Sequence, residues 1–540
     1  MCLIIPVMKG YDKYMKKKAV KYLSSFLLSG ALVFSAAVTA GAATGDAAQG
    51  DTLPESYSSV EKGYVTEVKA QKNNDCWAYA SMATFESTLL SAGIQTGNMS
   101  TDHLNLWATT RSNNKGWIRT TAGTGYGSCA LGYIMSWQGG VLQSDLEGID
   151  LTKLTFGDEA PQNLARYGAT SARFLYKDDP DEIKRQIIKH GGIYTSYAQS
   201  AYCFSTDILS YYMPEDYDGT YQGHAVELVG WDDNYPAGKF STSKTGKAPK
   251  GNGAWLVKNS WGNNNSLGGY FWISYEDKFL LHSRYKPSFA IESFEEINSG
   301  KKLLQNEIYG ATYEFDYVDS DKITYFNHYD FTDEFFTLDK IIFKTEAKDA
   351  DYALYFVPDA NGKPMSDKSK WTKLSSGKVD YAGYICDDIP DFAVPHKSGS
   401  IAVELDASKA GGKSTLGVDE WLVTASSDYV FINESVKGQS YISYGSGIQD
   451  VMDWYAINNN DSLGGSFVIK AVAVKDDSYI QGDVNLDGNV NINDVTAIQK
   501  HIANINTLSG KALRAADYNR DGRVDITDAT SIQRFINKVI

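Results

Sequence analysis

The chain has 540 residues, and its composition of 43% hydrophobic and 22% charged residues is typical of a folded globular protein. At this length we expect about three or four domains. The formal net charge of −15 at pH 7 argues against a nucleic-acid-binding protein, because binding to phosphates requires a basic surface.

The N-terminus has the features of an export signal. Lysines occupy positions 16–18, an apolar stretch runs from Leu23 to Val38, and small residues follow up to Ala43. This order of segments predicts a secretory signal peptide over residues 1–44, with Met15 as an alternative start. We therefore expect a secreted, extracellular protein with no membrane association after signal cleavage, in which residues 45–56 form a small polar linker.

The cysteines do not indicate a disulfide framework. Cys2 falls within the predicted signal, and Cys76 lies in a motif considered below. Cys129, Cys203 and Cys386 remain, which is an odd number. A bridge between Cys129 and Cys203 stays open, although buried free thiols are favoured.

Residues 57–290 show helical patterns first and strand patterns later. Apolar spacing predicts a helix from Cys76 to about Leu90, and residues 100–102 open a second turn. Residues 181–190 predict a short helix that ends at two glycines. Runs over residues 224–231, 254–258 and 270–275 predict strands. This order predicts an α+β domain.

Three residues of this domain form a set that can activate a thiol. Cys76 begins a helical pattern, His224 lies in a strand pattern, and Asn259 begins Asn-Ser-Trp-Gly, with spacings of 224 − 76 = 148 and 259 − 224 = 35 residues. A thiol needs a nearby imidazole to become a thiolate, and N–H groups at a helix start stabilise the anion. The set predicts Cys76 as nucleophile, His224 as general base and acid, and Asn259 as the group that fixes the imidazole tautomer.

These motifs resemble the papain-like cysteine peptidases. The resemblance rests on Val65–Gln71, on the Cys-Trp-Ala-Tyr-Ala run at residues 76–80, on the His224 strand and on residues 259–262, and it covers about 230 residues. It implies a papain-like fold that hydrolyses peptide bonds of protein or peptide substrates without a catalytic cofactor. It also implies that Gln71 supplies the oxyanion-hole donor beside the backbone N–H of Cys76, and that Trp261 shields the imidazole–Asn259 hydrogen bond from water.

The sequence departs from the family pattern around the nucleophile. The segment between Gln71 and Cys76 is one residue shorter than usual, and Asp75 places a carboxylate beside the thiol, which opposes ionisation unless it points away. Two alternatives therefore stay open: a catalytically impaired peptide- or protein-binding component, and a hydrolase or transpeptidase of cell-wall peptides.

Residues 291–476 show a different sequence pattern from the first domain. Short strand patterns recur at residues 340–344, 352–356, 400–405 and 467–472, separated by Gly, Asp and Asn, which predicts an all-β sandwich. The region resembles the lectin-like sandwich that follows such peptidases in some anaerobic bacteria. Tyr and Trp side chains leave carbohydrate binding open, whereas a scaffold role is favoured.

Residues 480–540 contain an internal repeat with an offset of 517 − 483 = 34 residues. Positions 1, 3, 5 and 12 of two twelve-residue loops carry side-chain oxygens: Asp483, Asn485, Asp487 and Asp494 in the first, and Asp517, Asn519, Asp521 and Asp528 in the second. Glycine occupies position 6 of each, Asn489 and Arg523 would give carbonyl oxygens, and Asn491 and Asp525 stand at position 9. An oxygen-only set at this spacing predicts two Ca²⁺ ions.

A strong helical pattern follows each loop, so the repeat resembles the small, calcium-binding, all-α type I dockerin rather than an EF-hand. The resemblance implies docking to a cohesin domain of a scaffold protein in an extracellular multienzyme complex of the cellulosome kind. By the same resemblance, six residues would read the partner: Ile492, Asn493, Lys500, Ile526, Thr527 and Arg534.

Overall fold

The part of the chain that the structure describes begins at residue 52. The structure is a computed structural model that describes residues 52–109, 116–117, 123–151, 164–282, 287–307, 310, 313–331, 335–419, 421–422, 431–432, 435–445, 447–458, 463–475, 479–508 and 510–538. The predicted signal peptide and most of the predicted linker lie outside these residues. In the described part of the chain, no helix combines the length and apolarity needed to cross a bilayer.

Helices occur in all three regions. Those of the described residues are α1 (Cys76–Ser91), α2 (Thr101–Trp107), α3 (Gly127–Met135), α4 (Pro180–His190), α5 (Val451–Ile457), α6 (Ile492–Ile502), α7 (Gly510–Ala516) and α8 (Ile526–Ile536). Helix α4 shows how local sequence sets the bounds: the Asp179 side chain accepts from the Glu182 amide at 3.1 Å, and Gly191 ends the helix at φ 78°.

Strands dominate the rest of the described chain. The first domain contributes β1 (Ser56–Ser58), β2 (Gly116–Trp117), β3 (Tyr167–Leu175), β4 (Ile193–Gln199), β5 (Phe204–Ser205), β6 (Ser210–Tyr211), β7 (Gln222–Asp232), β8 (Ala254–Lys258), β9 (Tyr270–Ser274) and β10 (Ser288–Glu296). The sandwich contributes β11 (Lys301–Gln305), β12 (Tyr313–Phe315), β13 (Lys322–Asp330), β14 (Phe335–Thr345), β15 (Asp351–Ala360), β16 (Lys363–Pro364), β17 (Thr372–Lys378), β18 (Gly383–Ala393), β19 (Ser398–Asp406), β20 (Leu416–Val418), β21 (Trp421–Leu422), β22 (Phe431–Ile432), β23 (Ser440–Ser443), β24 (Gln449–Asp450), β25 (Leu463–Gly464) and β26 (Ile469–Lys475).

The first domain and the sandwich share one sheet, which the sequence did not predict. Its strand order is β11-β26-β14-β18-β3-β10-β4-β7-β8-β9-β6-β5, and β1 pairs with β7. The junction is antiparallel, with Gly383 of β18 opposite Arg173 of β3 and Tyr384 opposite Ala172. A second sheet, in the order β16-β15-β19-β13-β23-β24 with β17 on β15, completes the sandwich.

The hydrophobic core follows this shared sheet. The cluster around Trp77, the residue after the predicted nucleophile, contains Ile342, Tyr384 and Val472 from sandwich strands. The sandwich therefore supplies part of the core that supports helix α1. The described cysteines, Cys76, Cys129, Cys203 and Cys386, are all free thiols, so the Cys129–Cys203 bridge left open above is not formed.

The start of the first domain is packed rather than free. Strand β1 pairs with β7, and the Trp231 indole donates to the carbonyl oxygen of Pro54 at 3.1 Å. The boundary predicted at residue 57 therefore falls within a paired strand. At the other end of the chain, α6 and α8 pack through Val495, Ile498 and Ile532, and α7 is a short helix that the sequence did not predict.

Candidate active site and calcium loops

Cys76 is the first residue of helix α1, and its thiol is partly buried. The backbone amide of Ala225 donates to Sγ at 3.5 Å. Burial raises the pKa of the Cys76 thiol, the amide hydrogen bonds oppose this, and the charge of Asp75 adds to it. The thiol therefore needs a proton acceptor before it can act as a nucleophile.

The imidazole of His224 is placed by strand pairing. Strands β7 and β8 are antiparallel with Glu227 opposite Lys258, so the chain beyond Lys258 runs back alongside His224. The Nε2 atom of His224 lies 2.9 Å from Oδ1 of Asn259. Since Oδ1 can only accept, Nε2 carries the proton and Nδ1 of the neutral ring is left as the acceptor.

Two aromatic rings contact the imidazole. Trp261 stacks on His224 with ring centroids 4.8 Å apart and planes 25° apart, while 47% of Trp261 remains exposed. Tyr197 meets the imidazole edge-on at 5.8 Å. The resulting burial lowers the pKa of His224 to about 4, against the effect of the Asn259 hydrogen bond. The ring is thus held as a neutral base.

Gln71 reaches the site through a third segment. Its backbone amide donates to the Ser260 carbonyl at 2.7 Å, and Ala70 bridges to Trp261. Its side-chain oxygen accepts from the Ser260 hydroxyl at 2.6 Å, and its Nε2 donates to the Asn73 carbonyl at 2.7 Å. One N–H of the amide is therefore used within the short loop before Cys76, and the second remains for a ligand.

Asp75 is buried and turned towards α2. Its carboxylate accepts from the Asn73 amide at 3.4 Å and from Nδ2 of Asn105 at 3.3 Å. Burial raises the pKa of Asp75, and these hydrogen bonds oppose the change. The carboxylate therefore stabilises the loop before Cys76 through hydrogen bonds, although its charge still disfavours the Cys76 thiolate.

A buried ionic group that the sequence did not predict lies behind the site. Lys258 precedes Asn259; its Nζ lies 3.6 Å from Glu227 and donates to the Thr66 hydroxyl at 3.0 Å. Thr66 in turn donates to Glu86 of α1. Cross-links of this kind fix α1 against β7 and β8, and losing one partner would leave an uncompensated buried charge. The sequence does not indicate this group, because lysine and glutamate usually mark a solvent face, whereas Glu227 and Lys258 lie in strands that are almost wholly buried.

The two acidic loops of the C-terminal repeat have the same internal hydrogen bonds. Asp483 accepts from the amides of Asp487 and Gly488 at 3.0 and 2.7 Å, and Asp517 accepts from the amides of Asp521 and Gly522 at 3.1 and 2.9 Å. Each loop therefore folds around the carboxylate at its first position.

The twelfth-position carboxylates close the loops, and the ninth-position side chains cap the helices. Asp494 accepts from the Val484 and Asn491 amides at 2.8 Å, and Asp528 accepts from the Asp525 amide at 2.9 Å. Asn491 and Asp525 cap α6 and α8, each in a capping box.

The donor chemistry of the loops fits Ca²⁺. Burial raises the pKa of Asp517 to about 6, and the charges of Asp528 and Asp521 add to it, which is a repulsion that a cation relieves. Among the described residues, no three His, Cys, Asp or Glu side chains are gathered as a metal site by themselves. A calcium ion in these loops would instead need a mixed set of ligands, with Asn485, Asn519 and backbone carbonyls beside the carboxylates.

The residues expected to read a partner are on the surface. Ile492 and Ile526, the first residues of α6 and α8, are 54% and 58% exposed. All six are exposed: Ile492, Asn493, Lys500, Ile526, Thr527 and Arg534.

Comparison with known proteins follows the same division of the chain. The family model described as papain family cysteine protease matches residues 53–287, that of the lectin like domain matches 303–473, and that of the dockerin type I domain matches 481–537. The structure of the clostridial cysteine protease Cwp84 after propeptide cleavage is 31% identical, with a TM-score of 0.67, and the match covers 78% of this chain and 99% of that chain. The chain belongs to the papain family of cysteine proteases.

Other papain-family relatives bear on the domain arrangement. A crystal structure of the cysteine protease and lectin-like domains of Cwp84, a surface layer associated protein of Clostridium difficile, is 30% identical with a TM-score of 0.67, covering 78% of this chain and 89% of that chain. Cathepsin K of Mus musculus is 27% identical over 223 residues, which is 40% of this chain and 59% of cathepsin K. The chain thus spans less than two thirds of that curated relative. The predicted fold class, a papain-like domain followed by an all-β lectin-like domain and a helical dockerin, is confirmed.

Proposed function

We propose that the protein is a secreted cysteine endopeptidase that its dockerin attaches to a cohesin-bearing extracellular multienzyme complex. The observation that carries the catalytic part is the convergence of three distant segments, in which the Ala225 amide donates to the Cys76 thiol while the adjacent His224 bonds to Asn259 at 2.9 Å. Cwp84 is named as a cysteine protease, which supports the same function.

The first half of the reaction forms a thioester. Nδ1 of His224 takes the proton of Cys76, and the thiolate attacks the carbonyl carbon of the peptide bond. The negative oxygen that develops is stabilised by the backbone N–H of Cys76 and the remaining N–H of Gln71. The imidazolium then gives its proton to the amine nitrogen, the C–N bond breaks, and the amine leaves.

The second half uses water. The neutral His224 takes a proton from a water molecule, whose oxygen attacks the thioester carbonyl carbon. The C–S bond breaks, the thiolate regains the proton through the imidazole, and the acid product leaves. Asn259 keeps the ring in one tautomer throughout, and Trp261 covers one of its faces.

The anchoring part rests on the C-terminal repeat. The dockerin type I match and the internal hydrogen bonds of the two acidic loops support binding of one Ca²⁺ by each loop. The same match and the exposed starts of α6 and α8 support binding of a cohesin. The description of Cwp84 as a surface layer associated protein agrees with an extracellular place of action. The shared sheet favours a scaffold role for the lectin-like domain over carbohydrate binding.

The direct experiment is casein hydrolysis by residues 45–540 in the presence of reductant and calcium. Turnover should be lost in Cys76→Ala and retained in Cys129→Ala, which removes a buried thiol of the same domain. Turnover by Cys76→Ala equal to that of the wild type would refute the proposed nucleophile.

A second candidate is a peptide- or protein-binding component with little hydrolysis. The hydrogen bond from Gln71 to the Asn73 carbonyl favours it, because it closes the short loop on itself. A folded wild type that binds unfolded casein but neither cleaves it nor reacts with iodoacetamide at Cys76 would support this candidate.

Transfer of acyl groups to added amines, rather than to water, would instead support a transpeptidase.

A further inference from the structure

The two calcium loops are near copies in sequence but differ in their surroundings. Leu486 and Arg520 occupy the same loop position with the same backbone conformation, at φ 56°. Leu486 is 48% exposed, whereas Arg520 is 6% exposed. Another part of the chain therefore covers the second calcium loop but not the first.

The covering element is the turn of the lectin-like domain between β18 and β19. His396 of this turn lies with Nδ1 3.1 Å from the carbonyl oxygen of Asp521, and its ring stacks on Phe356 of β15 with centroids 6.3 Å apart. A methyl group added to Gly522 would collide with the His396 ring, whereas one added to Gly488 would meet only open space.

A second contact supports the first. Tyr479 packs against the hydrophobic cluster of the lectin-like domain, and the guanidinium of Arg514 in α7 lies over its ring at 5.5 Å. Val394 and Pro395 line a cleft together with Arg520 of the second loop. The dockerin is therefore held on the lectin-like domain from two elements, α7 and the second loop.

We propose that the lectin-like domain binds the second calcium loop, so that calcium occupancy of this loop and docking of the dockerin onto the lectin-like domain are linked. The physical reason is that Asp521, a fifth-position residue of the second loop, bonds to His396 through its backbone, so ordering of the loop around the ion and ordering of this contact favour each other. The inference rests on calcium binding as proposed above.

Hydrogen exchange with mass spectrometry tests the link in the otherwise unaltered secreted chain carrying Cys76→Ala to prevent self-cleavage. Calcium chloride, compared with EGTA, should slow exchange in residues 481–538 and also in residues 393–398 of the lectin-like domain. Slowing confined to residues 481–538 would overturn the inference but leave calcium binding intact. No slowing in either region would instead refute calcium binding itself.

A matched pair of glycine substitutions gives an independent test by calcium titration calorimetry. Gly488 and Gly522 have φ 86° and 83°, so alanine introduces equal backbone strain in both loops. Gly522→Ala should weaken calcium binding to its loop about three- to tenfold more than Gly488→Ala weakens binding to the first loop. In a His396→Ala background the two losses should become equal. Equal losses in the parent chain would overturn the inference.

Discussion

The active site and the calcium loops assemble their functional groups in opposite ways. Cys76 begins a helix, His224 lies in strand β7 and Asn259 directly follows strand β8. These segments are far apart in sequence, and the shared sheet and buried ion pairs hold them in place. Each calcium loop gathers its oxygens within twelve residues around one carboxylate, such as Asp483. The first arrangement depends on the fold, whereas we propose that the second depends on an ion, so the two should fail separately.

The largest effect is expected at the nucleophile. Cys76→Ala should lower kcat/KM for a peptide substrate by about 10³-fold or more, because no other group forms the thioester. Calcium affinity, measured by calorimetry, should be unchanged. A simultaneous loss of calcium binding would mean that the two sites are not independent.

Removal of calcium should destabilise the dockerin and leave peptide hydrolysis intact. Asp483, Asp487 and Asp494 bring three negative charges into one loop, and an ion present at about 1,000 times its Kd stabilises the folded state by about 4 kcal/mol. We expect EGTA to lower the thermal unfolding temperature of the dockerin, as measured by calorimetry. Hydrolysis of a short peptide by the same sample should stay within about twofold, since the described contacts of the loops lie within the dockerin and with His396 of the lectin-like domain.

An intermediate effect is expected at Gln71. Gln71→Ala removes the proposed side-chain donor of the oxyanion hole and should lower kcat about 100-fold with little change in KM. Gln71→Glu is the matched control, because it keeps the length of the side chain but supplies no N–H, and it should be equally impaired. Activity close to wild type in both would exclude Gln71 from the oxyanion hole.

The smallest effect is a shift along the pH axis. Because burial lowers the pKa of His224 to about 4, the ring takes up a proton only near that pH, and the acidic limb of kcat/KM should lie there. Trp261→Ala admits water to the imidazole, which raises its pKa towards 6.5 and moves the limb to higher pH. Trp261→Phe, which keeps a stacked ring, should shift it less. A limb that does not move in Trp261→Ala would contradict the shielding role.

Local patterns in the sequence predict much of this molecule. The apolar spacing after Cys76 predicts α1, the β-rich runs predict β7, β8 and β9, and the repeat predicts the two helices that follow the loops. The order of the Cys, His and Asn motifs predicts which residues meet.

Long-range contacts account for what the sequence does not predict. Nothing in β3 or β18 indicates that Arg173 and Gly383 pair across two domains, because register is set by tertiary packing. The hydrogen bond between Gln71 and Asn73 depends on the shape of a short loop. Burial of Arg520 depends on a turn more than a hundred residues away, and α7 escapes prediction because it has only seven residues and begins with glycine.

The most direct test of the account is to trap the acyl-enzyme. Wild-type protein mixed with a peptide p-nitrophenyl ester and quenched in acid should release about one equivalent of p-nitrophenol in a burst, and peptide mapping should find the acyl group on Cys76. An acyl group on another thiol, such as the partly buried Cys386, or no burst from a folded sample, would contradict the assignment of Cys76 as the nucleophile.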